Sequence, residues 1–277
     1  MSKSQSVKYN PFVSIICVTF NRRPFFETFF QCIRNQDYPS SRYEVIIVDD
    51  GTDKIRDLVR SAKIPQIKYF ELSEKMTLGR KRNYSHTLID KKSKYITYFD
   101  DDDYHFPCRI SHAISMLEKN KSALCAGTSE IYVYFDQLNK IYKFGPYAQS
   151  HATAGTFTFR TELLSRTKFN DNACLSEEKE FLINYTIPFL QLDPLQTILV
   201  ISHDHNTSDK RKILGSGSES EKSIDLFMHR KNETKIKKFF VFEIRDLLKE
   251  YELGRVIHKP DVLKQIKDVE LSRSGAS

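Results

Sequence analysis

A short apolar run ending in four consecutive aspartates constrains this chain more than any other stretch. Lys94 to Asp103 reads K-Y-I-T-Y-F-D-D-D-D. Its first part has the β-branched and aromatic composition of a buried strand. The adjacent carboxylates of Asp100, Asp101, Asp102 and Asp103 repel one another, and each makes its neighbour harder to ionise. Such a run either lies in water as a solvated acidic turn or faces a cation. Oxygen ligands of this kind suit a hard divalent ion, Mg2+ or Mn2+. Its position favours the second alternative, because open α/β sheets bind ligands at the carboxyl ends of their strands.

The rest of the first half supports such a sheet. Phe12 to Phe20 (F-V-S-I-I-C-V-T-F) is a near-continuous apolar run, as expected for a strand buried on both faces. Asn21-Arg22-Arg23-Pro24 breaks it and opens a helix, with Pro24 tolerated in the first turn and Phe25, Phe29, Cys32 and Ile33 at helical spacing. Tyr43 to Val48 reads as a second buried strand ending in Asp49-Asp50-Gly51. A helix follows from about Lys54 to Ala62, then a strand from Ile67 to Leu72, a helix from Leu78 to Leu88 and the strand from Tyr95 to Phe99. Strand and helix alternating in this way predict right-handed βαβ units and a mostly parallel sheet.

After Pro107 the spacing predicts a helix to about Lys119, and then the pattern changes. Ala123 to Phe135 and Lys140 to Phe144 read as strands joined by a polar turn, Thr156 to Phe159 as a short strand, and Thr197 to Ser202 as the last apolar strand. Ser176 to Asn184 has helical character, with Ser176 as its N-cap. Asn206 to Lys222, which holds Gly215-Ser216-Gly217-Ser218, reads as a mobile loop. In the basic segment beyond it, Ile236, Phe240, Ile244, Leu247 and Tyr251 mark one apolar helix face.

Two strands thus end in paired acids and a third in Thr19-Phe20-Asn21-Arg22, so three polar tips make one crevice. Asp50 can accept hydrogen bonds from a ribose or base edge, while a metal at the later acids neutralises a diphosphate. The chain has no G-x-x-x-x-G-K-S/T and no G-x-G-x-x-G after a strand, so the nucleotide-diphosphate site expected here lacks a phosphate-cradling glycine loop.

These residues resemble family 2 glycosyltransferases with the GT-A fold, over roughly Val13 to Ser208. V-S-I-I-C-V-T-F-N-R is similar to the family's opening strand and E-V-I-I-V-D-D-G-T to its second. G-R-K-R-N-Y-S is similar to its G-x-x-R-N segment and Y-F-D-D-D-D to its metal-binding D-x-D-D motif. The resemblance implies a GT-A-type (Rossmann-like), mostly parallel central sheet flanked by helices, with a smaller antiparallel β element and C-terminal helices. It places the catalytic domain in 1–208, with a nucleotide-binding half at about 10–103 and an acceptor half at about 104–208. Residues 209–277 are expected to be a flexible loop and a basic helical extension.

The same resemblance implies the roles. Thr19, Asn21 and Arg22 would line the donor pocket and Asp50 would hold the base or ribose. Arg82, or less fittingly Arg80, would reach the base or diphosphate. Asp100 and Asp101 would lie at the ribose or donor sugar, and Asp102 would coordinate the metal. L-S-E-E-K-E-F is similar to the family's E-D motif, with Glu where the base is usually Asp. Glu178 is the expected base and Glu177 the next choice, with Glu180 in the same run. Alternatively, these acids stabilise a helix N-terminus. In S-H-D-H-N-T-S, His203 or His205 would complete the metal shell.

The implied reaction is metal-dependent transfer, with inversion, from a nucleotide-diphosphate sugar such as a UDP-sugar to a glycan, lipid-linked or protein acceptor. Two other classes fit strand-end acids: a metal-dependent nucleotidyltransferase and a non-catalytic sugar-nucleotide-binding module. A net charge of +7 suits anionic small partners and is too weak to argue for nucleic acid. The basic C-terminal helices suggest peripheral contact with an anionic membrane, or simple packing on the catalytic domain. Five scattered cysteines without a C-x-x-C pair, and a polar opening without the apolar core of a signal peptide, lead us to expect a reducing, cytoplasmic setting.

Overall fold

The structure is a computed structural model and describes residues 10–274; the outer limits of the two expected segments, 1 and 277, lie outside them. The central sheet is built on β1 (Phe12–Thr19), β2 (Tyr43–Asp49), β3 (Ile67–Glu71) and β4 (Ser93–Tyr98). β1 and β2 run parallel, from Val13 opposite Tyr43 to Thr19 opposite Asp49. β4 lies parallel to β1 on its other side, with Ile16 opposite Tyr98. Their carboxyl ends therefore reach one edge together.

Alternation along these strands sorts the core into two layers. Val13, Ile15, Cys17, Val45, Ile47 and Tyr95 face one side. They pack there under α1 (Phe26–Arg34), α2 (Arg56–Ala62) and α4 (Arg109–Lys119). Phe26, Phe29, Phe30 and Ile33 of α1 are all buried, at about 1.5–3 kcal/mol of transfer free energy per side chain. Ile16, Ile46, Val48, Ile96 and Tyr98 face the opposite side, against α3 (Leu78–His86) and the segment carrying Phe157, Phe159, Phe169 and Phe181.

Seven strands complete this sheet, in the order β10-β6-β9-β4-β1-β2-β3. β9 (Thr158–Arg160) is antiparallel to both β4 and β6 (Cys125–Gly127), and β10 (Phe189–Gln191) is parallel to β6. A second, smaller sheet has the order β12-β8-β7-β11-β5. It contains β5 (Tyr104–His105), β7 (Ile131–Phe135), β8 (Lys140–Phe144), β11 (Ile198–Ser202) and β12 (Ser218–Glu219). Its pairings are antiparallel except β7 with β11.

The single strand expected over Ala123 to Phe135 is instead β6 and β7, in different sheets. The break falls at Thr128 and Ser129, whose backbone N–H groups donate to Thr156 Oγ1 (3.0 Å) and Gln191 Oε1 (2.8 Å) and so leave the ladder. The stretch expected to be a mobile loop also takes up defined structure. Asp209 caps a 3-10 turn over Lys210–Ser216, Gly217 abuts the ring of Phe144, and Ser218–Glu219 is β12.

The C-terminal elements are α6 (Ile224–Phe227), α7 (Thr234–Lys238), a π-helical turn (Phe239–Glu243), α8 (Ile244–Glu250) and α9 (Pro260–Ser274). Phe227, Met228, Ile236, Phe240, Ile244 and Leu248 pack against Tyr104, Tyr132, Tyr134, Leu199 and Ile201 of the second sheet and against Phe25 and Cys32. Ile236, Phe240 and Ile244 of the expected apolar stripe are therefore buried against the second sheet. Leu247, expected in that stripe, is 44% exposed, and Leu248 is buried instead. The π turn adds a residue to one turn and delays the stripe by one position. Among the described residues no helix is long and apolar enough to cross a membrane.

Candidate active site

The first strand end is tied to the second by Asn21. Its backbone is left-handed (φ 51°), and its Oδ1 accepts the N–H groups of Thr52 (2.7 Å) and Asp53 (2.9 Å). Its Nδ2 donates to Leu253 O at 3.2 Å. Asn21 thus staples loops together behind the crevice, whereas Thr19 and Arg22 line it. A Cβ at Gly51 would stand 2.5 Å from Asn21 N, so only glycine permits this approach. Asp49 turns inward to accept the Tyr69 hydroxyl (2.6 Å) and the Gly51 N–H (2.9 Å).

Asp50 is buried and accepts from Met76 N (2.7 Å) and from the Lys81 ammonium. Lys81 also donates to Thr19 O at 3.0 Å, joining the ends of β1 and β2. Sequence reasoning passed over Lys81 in favour of its neighbours. Yet Lys81 shares a helix face with Leu78 and Ser85 (i, i+3, i+7), which turns it inward. Arg80 is exposed and does not line the crevice.

Arg82 is buried. Its Nη2 lies 2.9 Å from Glu177 Oε1, and its guanidinium sits over the rings of Tyr98 (4.2 Å) and Phe169 (5.4 Å). Removing one partner of a buried pair strands the other charge, at a cost of about 3–5 kcal/mol. Glu177→Gln is therefore expected to lower the thermal transition by roughly 6–20 °C, given a shift of about 2–4 °C per kcal/mol. An unchanged melting curve would show that the pair does not hold the loop.

The helix expected from Ser176 to Asn184 is one turn, α5 (Glu178–Phe181). Ser176 (φ 53°) and then Ile183, Asn184 and Tyr185 adopt left-handed backbone, so no longer helix can form. Neither Ser176 nor any other side chain caps the turn. Glu178 is half-buried in the crevice, and burial first, then the charge of Glu177, raises its pKa above the usual 4.5. Glu180 is exposed and accepts from Asn170 Nδ2 at 3.1 Å.

The acid turn joins β4 to β5, and its four members differ. Arg109 Nη2 underlies it, donating to Tyr98 O (2.7 Å) and Gly155 O (2.8 Å). Asp100 faces Gly155, where a Cβ would stand 2.4 Å from its Oδ2. Burial raises the Asp100 carboxyl while Arg82 opposes it. Burial, then the Asp102 charge, pushes Asp101 up to about 7. Arg22 Nε is 3.9 Å from Asp101 Oδ1 and its Nη2 is 3.4 Å from Asp102 Oδ2. Burial would raise Asp102 too, but Arg22 and then His203 hold its carboxyl well below the usual range. Asp103 accepts the Ile201 N–H at 3.1 Å and so ties the turn to β11.

His203 Nε2 is 3.2 Å from Asp102 Oδ2, and its Nδ1 accepts the His205 N–H at 3.1 Å. Asn206 Nδ2 also lies 3.1 Å from Nε2, the ring nitrogen that a metal beside Asp102 would use. The structure thus brings His203 to the acids, whereas the His205 ring lies against Tyr251 and beside Gly254. Among the described residues no group of three or more His, Cys, Asp or Glu is arranged to hold a metal. Mg2+ commonly takes only one or two carboxylates and completes its shell with water and substrate phosphates. Asp102 with His203 fits a divalent ion of that kind.

His203 lines a separate pocket with Asp136 and Arg211. Thr19, Arg22, Lys81, Arg82, the four aspartates, Glu177 and Glu178 line one crevice of about 820 Å3, which Asp50 does not line. Its far wall comes from the C-terminal segment, which sequence reasoning did not connect with the site. Lys259, 5% exposed, lines it, and burial first, then the Arg22 charge, pushes its pKa down to about 7.

Residues 14–176 match the family model described as Glycosyl transferase family 2. The chain belongs to this family. Among curated relatives of this glycosyltransferase family, the GalNAc(5)-diNAcBac-PP-undecaprenol beta-1,3-glucosyltransferase of Campylobacter jejuni is 32% identical over 96 residues, covering 34% of this chain and 30% of the relative. Among solved structures, the mannosyltransferase PcManGT of Pyrobaculum calidifontis in complex with GDP-Man and Mn2+ aligns with a TM-score of 0.57 at 16% identity, over 71% of this chain and 58% of that one. TarS 1-349 of S. aureus in complex with UDP-GlcNAc aligns with a TM-score of 0.53 at 16% identity, over 69% and 59%. This chain therefore spans about a third of that curated relative and under two thirds of these structures, whose likeness shows the shared glycosyltransferase fold.

Proposed function

We propose that this chain transfers a sugar from a nucleotide-diphosphate donor to an acceptor hydroxyl, with inversion and with the help of a divalent metal. The observation that carries the reading is that Glu178, which makes no ion pair among the described residues, faces the same crevice as the acid turn. One end of the crevice is acidic with cationic relief, suited to a diphosphate and its counterion, and the other offers a carboxylate to an incoming hydroxyl.

Glu178 takes the acceptor hydroxyl proton as that oxygen bonds to the anomeric carbon, and the bond from that carbon to the diphosphate oxygen breaks. Arg22, whose Nη1 is buried without a hydrogen-bond partner among the described residues, is placed to meet phosphate oxygens. Thr19 and the Asp50–Lys81 pair lie on the nucleoside side, and Arg82 and Asp100 on the sugar side. A divalent ion held by Asp102 and His203 would supply Lewis-acid relief of the leaving diphosphate's charge. The donor complexes of the two aligned structures, one with GDP-Man and one with UDP-GlcNAc, support the donor class and leave the base open.

The test is a panel of UDP- and GDP-sugars with Mn2+ and glycan, lipid-linked and peptide acceptors, read as nucleoside diphosphate release and glycosylated product. Pyrophosphate release instead would point to nucleotidyl transfer. Tight donor binding with no product from any acceptor would leave only a binding module.

A further inference from the structure

The family match ends at residue 176, yet a cation from far beyond it lies in the crevice. Lys259 precedes α9, the helix that forms the outer wall. Three loops hold that helix in place. Lys75 pairs with Asp261, Gln265 Oε1 accepts the Cys174 N–H at 2.6 Å, and Lys212 Nζ lies 2.9 Å from Glu270 Oε1. The Lys259 ammonium is thereby fixed near Arg22, Asp101 and Asp102.

Its partners do not account for it. The ammonium donates to Thr207 Oγ1 at 3.1 Å and forms no ion pair with a described carboxylate. A lysine 5% exposed with one neutral acceptor has lost most of its hydration without gaining a contact ion pair. Arg22 opposes the pull of the Asp101 and Asp102 charges on it. An anion in the crevice would supply such a pair, and the donor is dianionic at its diphosphate. Of the neighbouring cations, Lys81 is paired with Asp50, and Arg22 is shared between Asp101, Asp102 and, through Nη1, the phosphate oxygens.

We propose that Lys259 is a donor-positioning residue whose ammonium binds the diphosphate of the sugar nucleotide, making α9 a wall of the donor site. This rests on the reading of the crevice as a donor site. It assigns binding to a residue that no local motif marks, and it couples donor occupancy to the seating of α9.

The experiment is calorimetric titration of the full chain and its variants with UDP, GDP and inorganic pyrophosphate, and with uridine and guanosine as phosphate-free controls. One charge-assisted hydrogen bond corresponds to about a 10- to 100-fold effect. Lys259→Gln is expected to weaken the preferred nucleoside diphosphate and pyrophosphate by that factor and to leave nucleoside binding unchanged. It should raise the donor KM more than it lowers kcat. Lys259→Arg should restore most of the affinity. Lys264→Gln, which removes the same charge from an exposed position on α9, should leave affinity unchanged. If Lys259→Gln fails to fold, Thr207→Val keeps the charge and removes its anchor, and a several-fold loss is expected there.

If wild type binds diphosphates and Lys259→Gln binds them equally, this inference falls and the proposed function stands. An equal loss in Lys264→Gln would reduce the effect to net charge and also overturn it. Failure of wild type to bind any of the three diphosphate probes would overturn both.

Discussion

Asp102→Asn is expected to lower sugar transfer about 10³-fold while the protein stays folded. Lewis-acid relief of a leaving group's charge is worth several kcal/mol, and each 1.36 kcal/mol is a factor of ten. Asp102 alone of the four aspartates meets both Arg22 (3.4 Å) and His203 (3.2 Å), so its charge organises that corner. Asparagine keeps the shape and one oxygen but removes the negative charge a divalent ion needs. The paired measurement is the thermal transition with donor nucleotide, with and without Mn2+. Wild type should gain stability from the ion and the variant should not. Near-normal turnover, or an undiminished Mn2+ response, would take the metal away from Asp102.

Glu178→Gln should bind donor as wild type does yet lose about 10²–10⁴-fold in kcat, the usual contribution of general-base assistance. Its carboxyl pKa lies above 4.5 because burial and Glu177 disfavour the charge. The base form is populated only as pH rises through that raised value, so wild-type kcat should climb with pH across it. The variant should lack this limb. Stability has the opposite sign. A carboxyl raised by folding contributes stability below its unfolded pKa and loses it as pH rises through the folded one. Neutralising Glu178 should therefore keep or raise stability at neutral pH, where Glu177→Gln lowers it. Unimpaired transfer by Glu178→Gln would move the base to another acid.

The central sheet was legible because β1, β2 and β4 are buried on both faces and so read as apolar runs ending in polar tips. The acid turn was legible for the same reason. Beyond it, short strands defeated pattern reading. β10 is three residues, and β6 and β7 are adjacent apolar stretches that only tertiary pairing separates. Site residues failed in a different way. Asn21 stands among ligand-facing positions, yet it turns inward to satisfy backbone donors. Local sequence cannot say which way a polar tip points. Lys81 was recoverable from helical phase. Lys259 was not, since its neighbours Arg22, Asp102 and Thr207 come from distant loops and no periodicity links them.

The packing of the C-terminal helices on the second sheet links two distant parts of the chain. The second sheet's outer face, with Tyr104, Tyr132 and Leu199, is roofed by side chains from beyond residue 223. That roof lies wholly outside the stretch shared with the family. Without that roof, the rings of Tyr104 and Tyr132 would form an aromatic surface that water disfavours. The same tail continues into α9, so one segment both clads the second sheet and borders the crevice.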